Sequence, residues 1–356
     1  MFAARIIEWQ RRHGRHDLPW QADRDPYRIW VSEIMLQQTQ VAAVIPYFLR
    51  FVERFPDVAS LGGAELEEVL QLWSGLGYYS RARNLHACAQ RILTEYGGRF
   101  PGDARTLAGL PGIGRSTAAA IAAFAFGERA AILDGNVRRV MCRFFGVEGY
   151  PGLPAVEREL WSIAERELPP DDIDPYTQGL MDLGATLCTR ARPGCDRCPL
   201  AMDCVARLGD RVACLPAPRP RKTVPTRETT MLVLRRDGAV LLERRPPAGI
   251  WGGLWSLPEV DPNVSRRFAE LPLPQGLRAE SVQELPRFVH AFSHFRLQVQ
   301  PLLVDVEAAG LADSAGRLWL ALEDAQGAAL PSPVKALLLG LPLRGAAGLP
   351  VPGTGA

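Results

Sequence analysis

The chain has 356 residues, 47% of them hydrophobic, and its formal net charge is only +2. This length predicts two domains, because single hydrophobic cores stop growing at about 250–300 residues. The small net charge excludes a uniformly basic surface, so any contact with nucleic acid must rest on local clusters of arginine.

The start of the chain, Met1–Arg5, does not begin a long apolar run. We therefore expect neither a signal peptide nor a membrane-spanning segment. Seven cysteines, four of them clustered, suit a reducing compartment, and we expect a cytoplasmic protein. The remaining three have no obvious mutual spacing and are predicted to be small apolar or surface residues: Cys88, Cys142 and Cys214.

Residues 1–210 are predicted to be helical, with proline and glycine between the helices. Apolar residues recur at helical spacing in the stretches 29–45, 65–75, 83–96, 106–126, 137–145 and 156–167. The proline-rich segment 211–227 is not expected to pack as helix or sheet and is predicted to be a semi-rigid linker.

Residues 27–40 read Y-R-I-W-V-S-E-I-M-L-Q-Q-T-Q and are predicted to be helical. Helical spacing then puts Glu33 among Ile29, Trp30 and Leu36. Burial among apolar residues raises the pKa of a carboxyl group, which suits a general acid near neutral pH. The alternative from the pattern alone is a glutamate paired with an arginine.

This segment resembles the W-V-S-E-I-M-L-Q-Q-T-Q block of the MutY-type adenine DNA glycosylases almost letter for letter. The resemblance implies that Glu33 protonates the adenine base and that Gln38 enters the double helix near the displaced base. The tripeptide Leu18–Trp20 matches the family's L-P-W, which implies that Trp20 lies near the base pocket. The alternative for Trp20 is core packing.

Residues 75–85 (G-L-G-Y-Y-S-R-A-R-N-L) resemble another block of the same family. The resemblance implies that Tyr78 wedges into the base stack beside the target, as aromatic side chains do in base-flipping proteins. The alternative is a tyrosine in an interface core.

Gly112 and Gly114 allow a tight turn that exposes backbone N–H groups at the start of a helix, which is a ready anion site. A lone Gly-x-Gly is more often only a turn. The whole segment 110–117 (L-P-G-I-G-R-S-T) resembles the hairpin of the helix-hairpin-helix DNA glycosylases. This implies DNA contacts by Gly112, Gly114, Arg115 and Ser116.

Asp134 lies in residues 131–140, A-I-L-D-G-N-V-R-R-V. From the pattern alone it is the N-cap of a helix that starts near Val137, or part of an Asx-turn with Gly135. The segment resembles the family block that carries the catalytic aspartate. This implies that Asp134 faces the sugar C1′ and stabilises an oxocarbenium-like centre, as in two-carboxylate glycoside hydrolysis, and that Asn136 helps to hold the site.

Position 116 separates two activities within this superfamily. Endonuclease III-type glycosylase/lyases have a lysine there, which forms a Schiff base, whereas this chain has Ser116 and its only lysines are Lys222 and Lys335. We therefore predict a monofunctional glycosylase. Gln178, in the segment 176–184, falls where the family contacts the adenine edge.

Four cysteines with the spacing Cys-x6-Cys-x2-Cys-x5-Cys occupy residues 188–204. Zinc and a pair of disulfides are the alternatives. The loop resembles the [4Fe-4S] loop of the endonuclease III family, which implies that this cluster is bound by Cys188, Cys195, Cys198 and Cys204. The loop's arginines are predicted to contact phosphates: Arg190, Arg192 and Arg197.

From Thr229 the pattern changes to strands, with a hairpin turn at Asp237–Gly238. Residues 249–259 (G-I-W-G-G-L-W-S-L-P-E) resemble the C-terminal domain of the MutY family and also Nudix domains, but the acidic R-E-x-x-E-E helix of Nudix hydrolases is missing. The loop of Phe292, Ser293 and His294 resembles the family's F-S-H loop, which implies recognition of 8-oxoguanine; an ordinary strand-end loop is the alternative.

These resemblances predict an all-α, two-lobed helix-hairpin-helix glycosylase domain (1–210) with an iron-sulfur loop (188–204). A C-terminal α+β Nudix-like domain (228–343) and a disordered tail (344–356) are predicted to follow. The predicted activity is excision of adenine paired with 8-oxoguanine or guanine. The predicted partner is double-stranded DNA, bound by a monomer, with other repair proteins as further candidates. The rivals are a pyrimidine glycosylase/lyase, a DNA-damage binder without catalysis and a Nudix phosphohydrolase.

Overall fold

The computed structural model of the chain describes residues 2–220, 224–247, 249–263, 270–292, 294–308 and 316–341. Ser293 and the predicted tail 344–356 lie outside the described residues. The chain forms two compact units, one of Met1–Ala64 and Arg81–Arg221 and the other of Glu65–Ser80 and Lys222–Ala356. No helix within the described ranges is both long and apolar enough to cross a lipid bilayer.

The first unit is built of helices, which confirms the helical structure predicted from the periodic apolar residues. Short polar or glycine-containing turns join these helices, and several N-termini carry an aspartate cap, as at Asp25, Asp57 and Asp134. The helices are α1 (Phe2–His13), α2 (Pro26–Leu36), α3 (Val41–Arg54), α4 (Val58–Gly62), α6 (Ser80–Tyr96), α7 (Ala104–Leu107), α8 (Arg115–Phe126), α9 (Gly135–Phe145), α10 (Pro154–Arg166), α11 (Ile173–Asp182) and α12 (Val205–Leu208), with α5 (Leu66–Trp73) falling in the second unit.

Small residues bring the helices of the first unit close together. The run Ala118–Ala123 of α8 is buried, and α8 packs against both α2 and α11. After α11 a wide π-helical turn spans Leu183–Leu187. A Cβ added at Gly184 in this turn would lie 2.5 Å from the Cβ of Asn136, so only glycine allows the turn to approach the start of α9 this closely.

The second unit is a mixed sheet with a short closing helix, as the predicted α+β class requires. Its central pair, β1 and β7, is parallel and in register from Thr226 against Arg296 to Arg235 against Asp305. The elements are β1 (Thr226–Arg236), β2 (Ala239–Arg244), β3 (Trp255–Ser256), β4 (Glu259–Val260), β5 (Leu277–Glu284), β6 (Phe288–Ala291), β7 (Arg296–Ala308), β8 (Arg317–Ala321) and α13 (Ser332–Leu339).

The predicted hairpin turn joins β1 to β2. Asp237 and Gly238 both have positive φ, 48° and 78°, as a two-residue type I′ turn requires. The strands follow the order β3-β2-β1-β7-β5, with β4 beside β1, β6 beside β7 and β8 beside β2. Apolar side chains of β1 and β7, among them Leu232, Leu234 and Leu302, form the buried core of this unit.

The segment Glu65–Ser80 belongs to the second unit although its neighbours in sequence belong to the first. The indole N–H of Trp255 donates to Glu67 Oε1 at 2.6 Å. The hydroxyl of Tyr79 donates to the carbonyl oxygen of Leu330 at 3.1 Å, and Lys335 Nζ donates to Ser74 Oγ at 3.2 Å. The segment that carries Tyr78 is therefore held by Trp255 and by Leu330 and Lys335, of which Lys335 lies in helix α13.

Candidate active site

Helix α2 positions Glu33. The helix starts with Pro26 in its first turn, where the Asp25 carboxylate accepts the N–H of Tyr27 at 2.9 Å. One face of the helix is apolar, and Ile29 and Trp30 are buried on it. The rigid, capped helix therefore fixes the side of the unit from which the Glu33 carboxyl projects.

The chain leaves the helix after Leu36, which corrects the prediction of a helix over the whole of 27–40. The guanidinium group of Arg81 donates to the carbonyl oxygens of Ile34, Met35 and Gln37 at 3.0, 2.8 and 2.6 Å. These bonds satisfy carbonyl groups that a helix end leaves without partners. Gln38 then adopts a left-handed conformation with φ 59° and is exposed, a position suited to contact with DNA.

Glu33 lies where two cavities meet. The first, here called the tryptophan cavity, has a volume of about 390 Å³ and is lined by Trp20, Glu33, Phe124 and Gln178 among others. The second, here called the aspartate cavity, has a volume of about 780 Å³, and its lining includes Glu33 and Asp134. The structure thus brings together side chains that the sequence predicted separately: Trp20, Glu33, Gln38, Ser116, Asp134, Asn136 and Gln178.

Burial and a neighbouring charge change the proton affinity of Glu33. Desolvation raises its pKa to about 8, and the charge of Asp134 acts in the same direction. At neutral pH most of the Glu33 side chains therefore carry a proton. The group is able to donate that proton to a base nitrogen in the tryptophan cavity, which is the property required of a general acid.

The side chain of Trp20 both packs in the core and lines the tryptophan cavity. Its side chain is buried and packs edge-to-face on Phe48, with ring centroids 5.3 Å apart. The same ring lines the tryptophan cavity. Core packing and the base-pocket role are therefore compatible at this position.

Asp134 is held at the N-terminus of α9. Its carboxylate accepts the N–H of Val137 at 2.7 Å, so the helix-cap interpretation of the sequence is confirmed. Burial raises the pKa of Asp134 above its ordinary value, and the backbone amides of Val137 and Asn136 and the charges of Arg139 and Arg138 oppose this rise only in part. Capping does not exclude chemistry here, because the same carboxyl lines the aspartate cavity.

Asn136 is fixed by an arginine that the sequence patterns did not single out. Arg139 donates to Asn136 Oδ1 at 2.8 Å and to the carbonyl oxygens of Gly184 and Cys188, both at 2.7 Å. A single guanidinium group therefore joins the start of α9 to the π-helical turn and to the first cysteine of the cluster loop.

The hairpin before α8 has the geometry that its glycines predict. Gly112 has φ 76°, and a Cβ there would lie 2.7 Å from the Cβ of Asn84, so glycine is required. Gly114 is the N-cap of α8 without a side-chain cap, which leaves the backbone amides of the first turn directed outwards. Arg115 stacks on Trp161 at 3.7 Å and pairs with Glu165. Ser116 Oγ accepts the N–H of Leu133 at 2.9 Å.

Comparison with known proteins identifies the family. A model of the HhH-GPD superfamily of base excision DNA repair proteins matches residues 31–166, and a NUDIX domain model matches residues 229–340. The adenine DNA glycosylase of Buchnera aphidicola (subsp. Acyrthosiphon pisum, strain APS) is 35% identical over 340 residues, which are 95% of this chain and 97% of that relative. The human adenine DNA glycosylase is 35% identical over 397 residues, covering 94% of this chain and 72% of the relative.

The chain belongs to the adenine DNA glycosylase family. Solved structures agree with the fold. A thermostable thymine-DNA glycosylase superposes with a TM-score of 0.54 at 31% identity, over 58% of this chain and 95% of the other. A non-covalent endonuclease III–DNA complex gives a TM-score of 0.51 at 23% identity, over 59% and 94% of the two chains, which shows the fold alone.

In this member of the adenine DNA glycosylase family, the four clustered cysteines line one small cavity together with Arg143 and Leu187. Arg143 is buried and donates to Cys188 Sγ at 3.4 Å and to the carbonyl oxygen of Thr189 at 2.7 Å. None of the seven cysteines forms a disulfide, all of them lying within the described residues. The disulfide alternative is therefore wrong for this structure.

The donor set is four cysteine side chains around one small cavity. Four thiolates are the ligands of a [4Fe-4S] cluster and also suit zinc, so the residues present fit either group. A buried arginine directed at Cys188 also suits thiolates that carry negative charge.

The second unit contains an aromatic cluster around the loop predicted to recognise 8-oxoguanine, here called the reader loop (Phe292, Ser293 and His294). Phe292 stacks on Phe295, with centroids 4.6 Å apart and planes at 18°, and lies 5.5 Å from Trp251. His290 contacts both Trp251 and Phe292, and the exposed His294 lies 4.8 Å from Phe295. Sequence matching found Phe292 and His294 but gave no role to Trp251 or His290. An aromatic residue in a glycine-rich turn was the only signal for Trp251.

Tyr78 lies in the second unit, in the segment Glu65–Ser80. It has φ 50° and is 49% exposed, between Gly77 and the Tyr79 that contacts Leu330. This exposure does not favour the interface-core alternative, and the wedge role of Tyr78 stays a prediction.

Proposed function

We propose that this protein excises adenine paired with 8-oxoguanine, and with guanine, by hydrolysing the N-glycosidic bond. It acts as a monofunctional glycosylase and leaves an abasic site. One observation carries the proposal: a carboxyl group with a pKa of about 8, Glu33, lies between a base-sized cavity and a second cavity that contains another carboxylate, Asp134.

The flipped adenine enters the tryptophan cavity, where it lies against Trp20. Glu33 is protonated at neutral pH and donates its proton to a nitrogen of the base, which makes the base a better leaving group. Gln178 lines the same cavity and contacts the edge of the adenine.

Asp134 acts on the sugar. As the N-glycosidic bond breaks, positive charge develops at C1′, and a carboxylate in the aspartate cavity stabilises it. Burial raises the pKa of Asp134, and the bond from Val137 N–H and the charges of Arg138 and Arg139 limit that rise. Asn136 is held beside it by Arg139. Water then attacks C1′ and completes the abasic product.

A lyase step lacks its nucleophile. Schiff-base chemistry needs an amine, and residues 1–220 contain no lysine. The hydroxyl of Ser116, at the position of the lyase lysine, accepts the N–H of Leu133 instead and so supports the segment that leads to Asp134. This observation separates the proposal from a glycosylase/lyase.

The cysteine cavity would hold a [4Fe-4S] cluster through Cys188, Cys195, Cys198 and Cys204. The cluster would supply a rigid cross-link for the loop that presents Arg190, Arg192 and Arg197, all of which are exposed and suited to phosphate contacts. Iron analysis together with visible absorption tests this assignment. Four irons per chain are expected, and one zinc per chain would contradict the assignment.

The second unit reads the base opposite adenine. Trp251, His290 and Phe292 form an aromatic platform, and His294 provides ring nitrogens at its exposed edge. Ser293, the middle residue of the loop, is a further hydrogen-bonding group. Gln38 and Tyr78 fill or wedge the gap that the flipped adenine leaves. These roles assume a monomer on double-stranded DNA in the bacterial cytoplasm, with other repair proteins as candidate partners.

The first experiment is single-turnover cleavage of a duplex with one adenine opposite 8-oxoguanine, analysed with and without alkali. Strand breaks only after alkali are expected. Breaks without alkali would show a lyase nucleophile, and the absence of any adenine release would favour a DNA-damage binder.

The reader role has a separate test. His294→Ala should slow excision opposite 8-oxoguanine more than excision opposite guanine, by about tenfold in the ratio of the two rates, since one hydrogen bond is lost. His13→Ala, at an exposed histidine of α1, is the matched control. Equal losses on both duplexes would remove His294 from the reader.

A further inference from the structure

The amide group of Gln178 is anchored by a buried carboxylate. Gln178 Nε2 donates to Asp182 Oδ1 at 2.8 Å, one turn along α11. The Asp182 side chain is fully buried, and Gln178 is 8% exposed. The contact therefore lies in the protein interior, where a hydrogen bond fixes orientation strongly.

Arg15 completes the arrangement. Its backbone N–H donates to Asp182 Oδ2 at 2.8 Å, and its Nε donates to Oδ1 at 2.7 Å. A third contact joins Arg15 Nη2 to Oδ1 at 2.6 Å. Buried carboxylates persist only when paired and hydrogen-bonded, and Asp182 meets both conditions. The result is a fixed acceptor for the Gln178 amide, and Gln178 itself lines the tryptophan cavity.

This arrangement settles which end of the Gln178 amide faces the base. The oxygen and nitrogen ends of a glutamine side-chain amide have nearly the same shape, so the hydrogen-bond partners decide which end points in which direction. An ionised carboxylate, however, only accepts hydrogen bonds, so the NH₂ end of Gln178 must face Asp182. Gln178 lines the tryptophan cavity, and the end left for that cavity is the carbonyl oxygen Oε1.

We infer that Asp182, held by Arg15, sets Gln178 to present a hydrogen-bond acceptor to the base, so that the cavity selects purines with an exocyclic amine at C6. This inference rests on the proposed function, in which adenine occupies the tryptophan cavity. Asp182 is a positioning residue, because it acts through Gln178 and does not touch the base.

The arrangement rejects a wrong base for a physical reason. Adenine carries an N–H donor at C6 and pairs with Oε1. Hypoxanthine and guanine carry a carbonyl oxygen at C6, which would place two acceptors against each other. Unsubstituted purine offers no partner, and Oε1 would then lose its water without replacement. A site built around a hydrogen bond discriminates well against ligands that lack the partner group.

The test measures single-turnover release of adenine, purine and hypoxanthine, each opposite 8-oxoguanine. The variants are Asp182→Asn and Gln178→Met, and the control is Asp172→Asn, an exposed aspartate paired with Arg11 at 2.7 Å. Dividing each variant's rate ratio by that of the unmodified protein cancels the intrinsic lability of the three bases.

Asp182→Asn is expected to lower the adenine-to-hypoxanthine rate ratio by about tenfold, because an asparagine accepts either end of the Gln178 amide. Gln178→Met should lower the adenine-to-purine ratio by a similar factor. Asp172→Asn should leave both ratios unchanged. If rates on all three bases fall in proportion, Asp182 is only structural and the inference is overturned.

The experiment distinguishes a failure of the proposed function from a failure of the inference about Asp182 and Gln178. If the unmodified protein releases no adenine, the proposed function itself fails. If it releases adenine but Gln178→Met keeps the ratios of the unmodified protein, only the inference about the cavity fails. Thermal unfolding of each variant is measured alongside, and should Asp182→Asn not fold, the ratios of Gln178→Met decide the question.

Discussion

The aspartate cavity has two sides, here called the α2 wall and the α9 wall after the helices that carry Glu33 and Asp134. The surroundings of the two carboxyl groups differ. On the α2 wall, Glu33 projects from an apolar helix face, and no described residue forms a hydrogen bond with its carboxyl group. On the α9 wall, Asp134 caps a helix, accepts the N–H of Val137 and has two arginines nearby. The first setting favours the neutral acid, and the second supplies groups that favour the anion.

This difference supports the chemical roles proposed for Glu33 and Asp134. Two carboxyl groups of similar intrinsic acidity divide into an acid and a charge stabiliser when their surroundings separate their proton affinities. Burial raises the pKa of both, but only Asp134 has amide donors that oppose the shift. A negative charge on Asp134 also raises the pKa of Glu33.

Removing the acid should have the largest effect. Glu33→Gln retains size and polarity but cannot protonate the base, and a positioned general acid contributes about 10²–10⁴-fold. We expect single-turnover adenine release to fall by about 10³-fold while binding to the mispaired duplex persists, as measured by fluorescence anisotropy. Glu53→Gln, at an exposed glutamate of α3, is the control. Near-normal turnover in Glu33→Gln would show that another group is the acid.

Neutralising the second wall should cost somewhat less. Asn is as good an N-cap as Asp, so Asp134→Asn keeps α9 capped but removes the charge that faces C1′. We expect about a 10²-fold loss in adenine release with little change in thermal stability. Asp134→Ala should add about 1 kcal/mol of destabilisation, because the cap is lost as well.

The control for this pair is Asp103→Asn, at the exposed cap of α7, where the carboxylate accepts the N–H of Thr106 at 2.8 Å. It should change neither activity nor stability appreciably. Full activity in Asp134→Asn would mean that Asp134 is a cap and nothing more, which was the simpler interpretation of the sequence.

The motif resemblance predicted roles in catalysis for Glu33 and Asp134, and the structure brings both side chains to the aspartate cavity. The resemblance did not predict what orients those side chains. The helix over residues 27–40 was expected to be continuous, but Arg81 binds three carbonyl oxygens at its end and Gln38 turns left-handed. Such a contact joins residues more than forty positions apart, which no local pattern encodes.

The same limit applies to the supporting residues. The pairing of Gln178 with Asp182 follows helical spacing, but the burial of Asp182 depends on Arg15, which is 167 positions away in the chain. Trp251 and His290 meet only after the sheet of the second unit has formed. Periodicity and turn residues predicted a helical first domain and strands in the second, because these signals act over a few neighbouring positions. The helix-hairpin-helix and Nudix-like classes followed from the family resemblance.

The pH dependence of activity distinguishes the two walls directly. A general acid with a pKa of about 8 loses its proton above that pH, so the rate of adenine release should fall about tenfold per pH unit beyond it. Single-turnover rates between pH 6 and pH 10 measure this limb. Glu33→Gln should show no such fall, and an unchanged alkaline limb in that variant would assign the titration to another group.

The free energy of unfolding should also depend on pH through Glu33, and the direction of this dependence follows from the pKa shift. The pKa of Glu33 rises from 4.5 to about 8 on folding, so the folded chain binds more protons between these values. The contribution of this carboxyl to the free energy of unfolding therefore falls as pH rises through that window. Glu33→Gln should raise the melting temperature relative to the unmodified protein at pH 9 but not at pH 4.

The smallest expected effect tests how the α9 wall is supported. Ser116→Ala removes the acceptor of the Leu133 N–H and should lower the free energy of unfolding by about 1 kcal/mol. Because Leu133 precedes Asp134, adenine release should slow by a few-fold without a change in its pH profile. Urea unfolding and single-turnover rates measure the two effects. A loss as large as that of Asp134→Asn would give Ser116 a direct part in the chemistry, which its bond to the backbone does not predict.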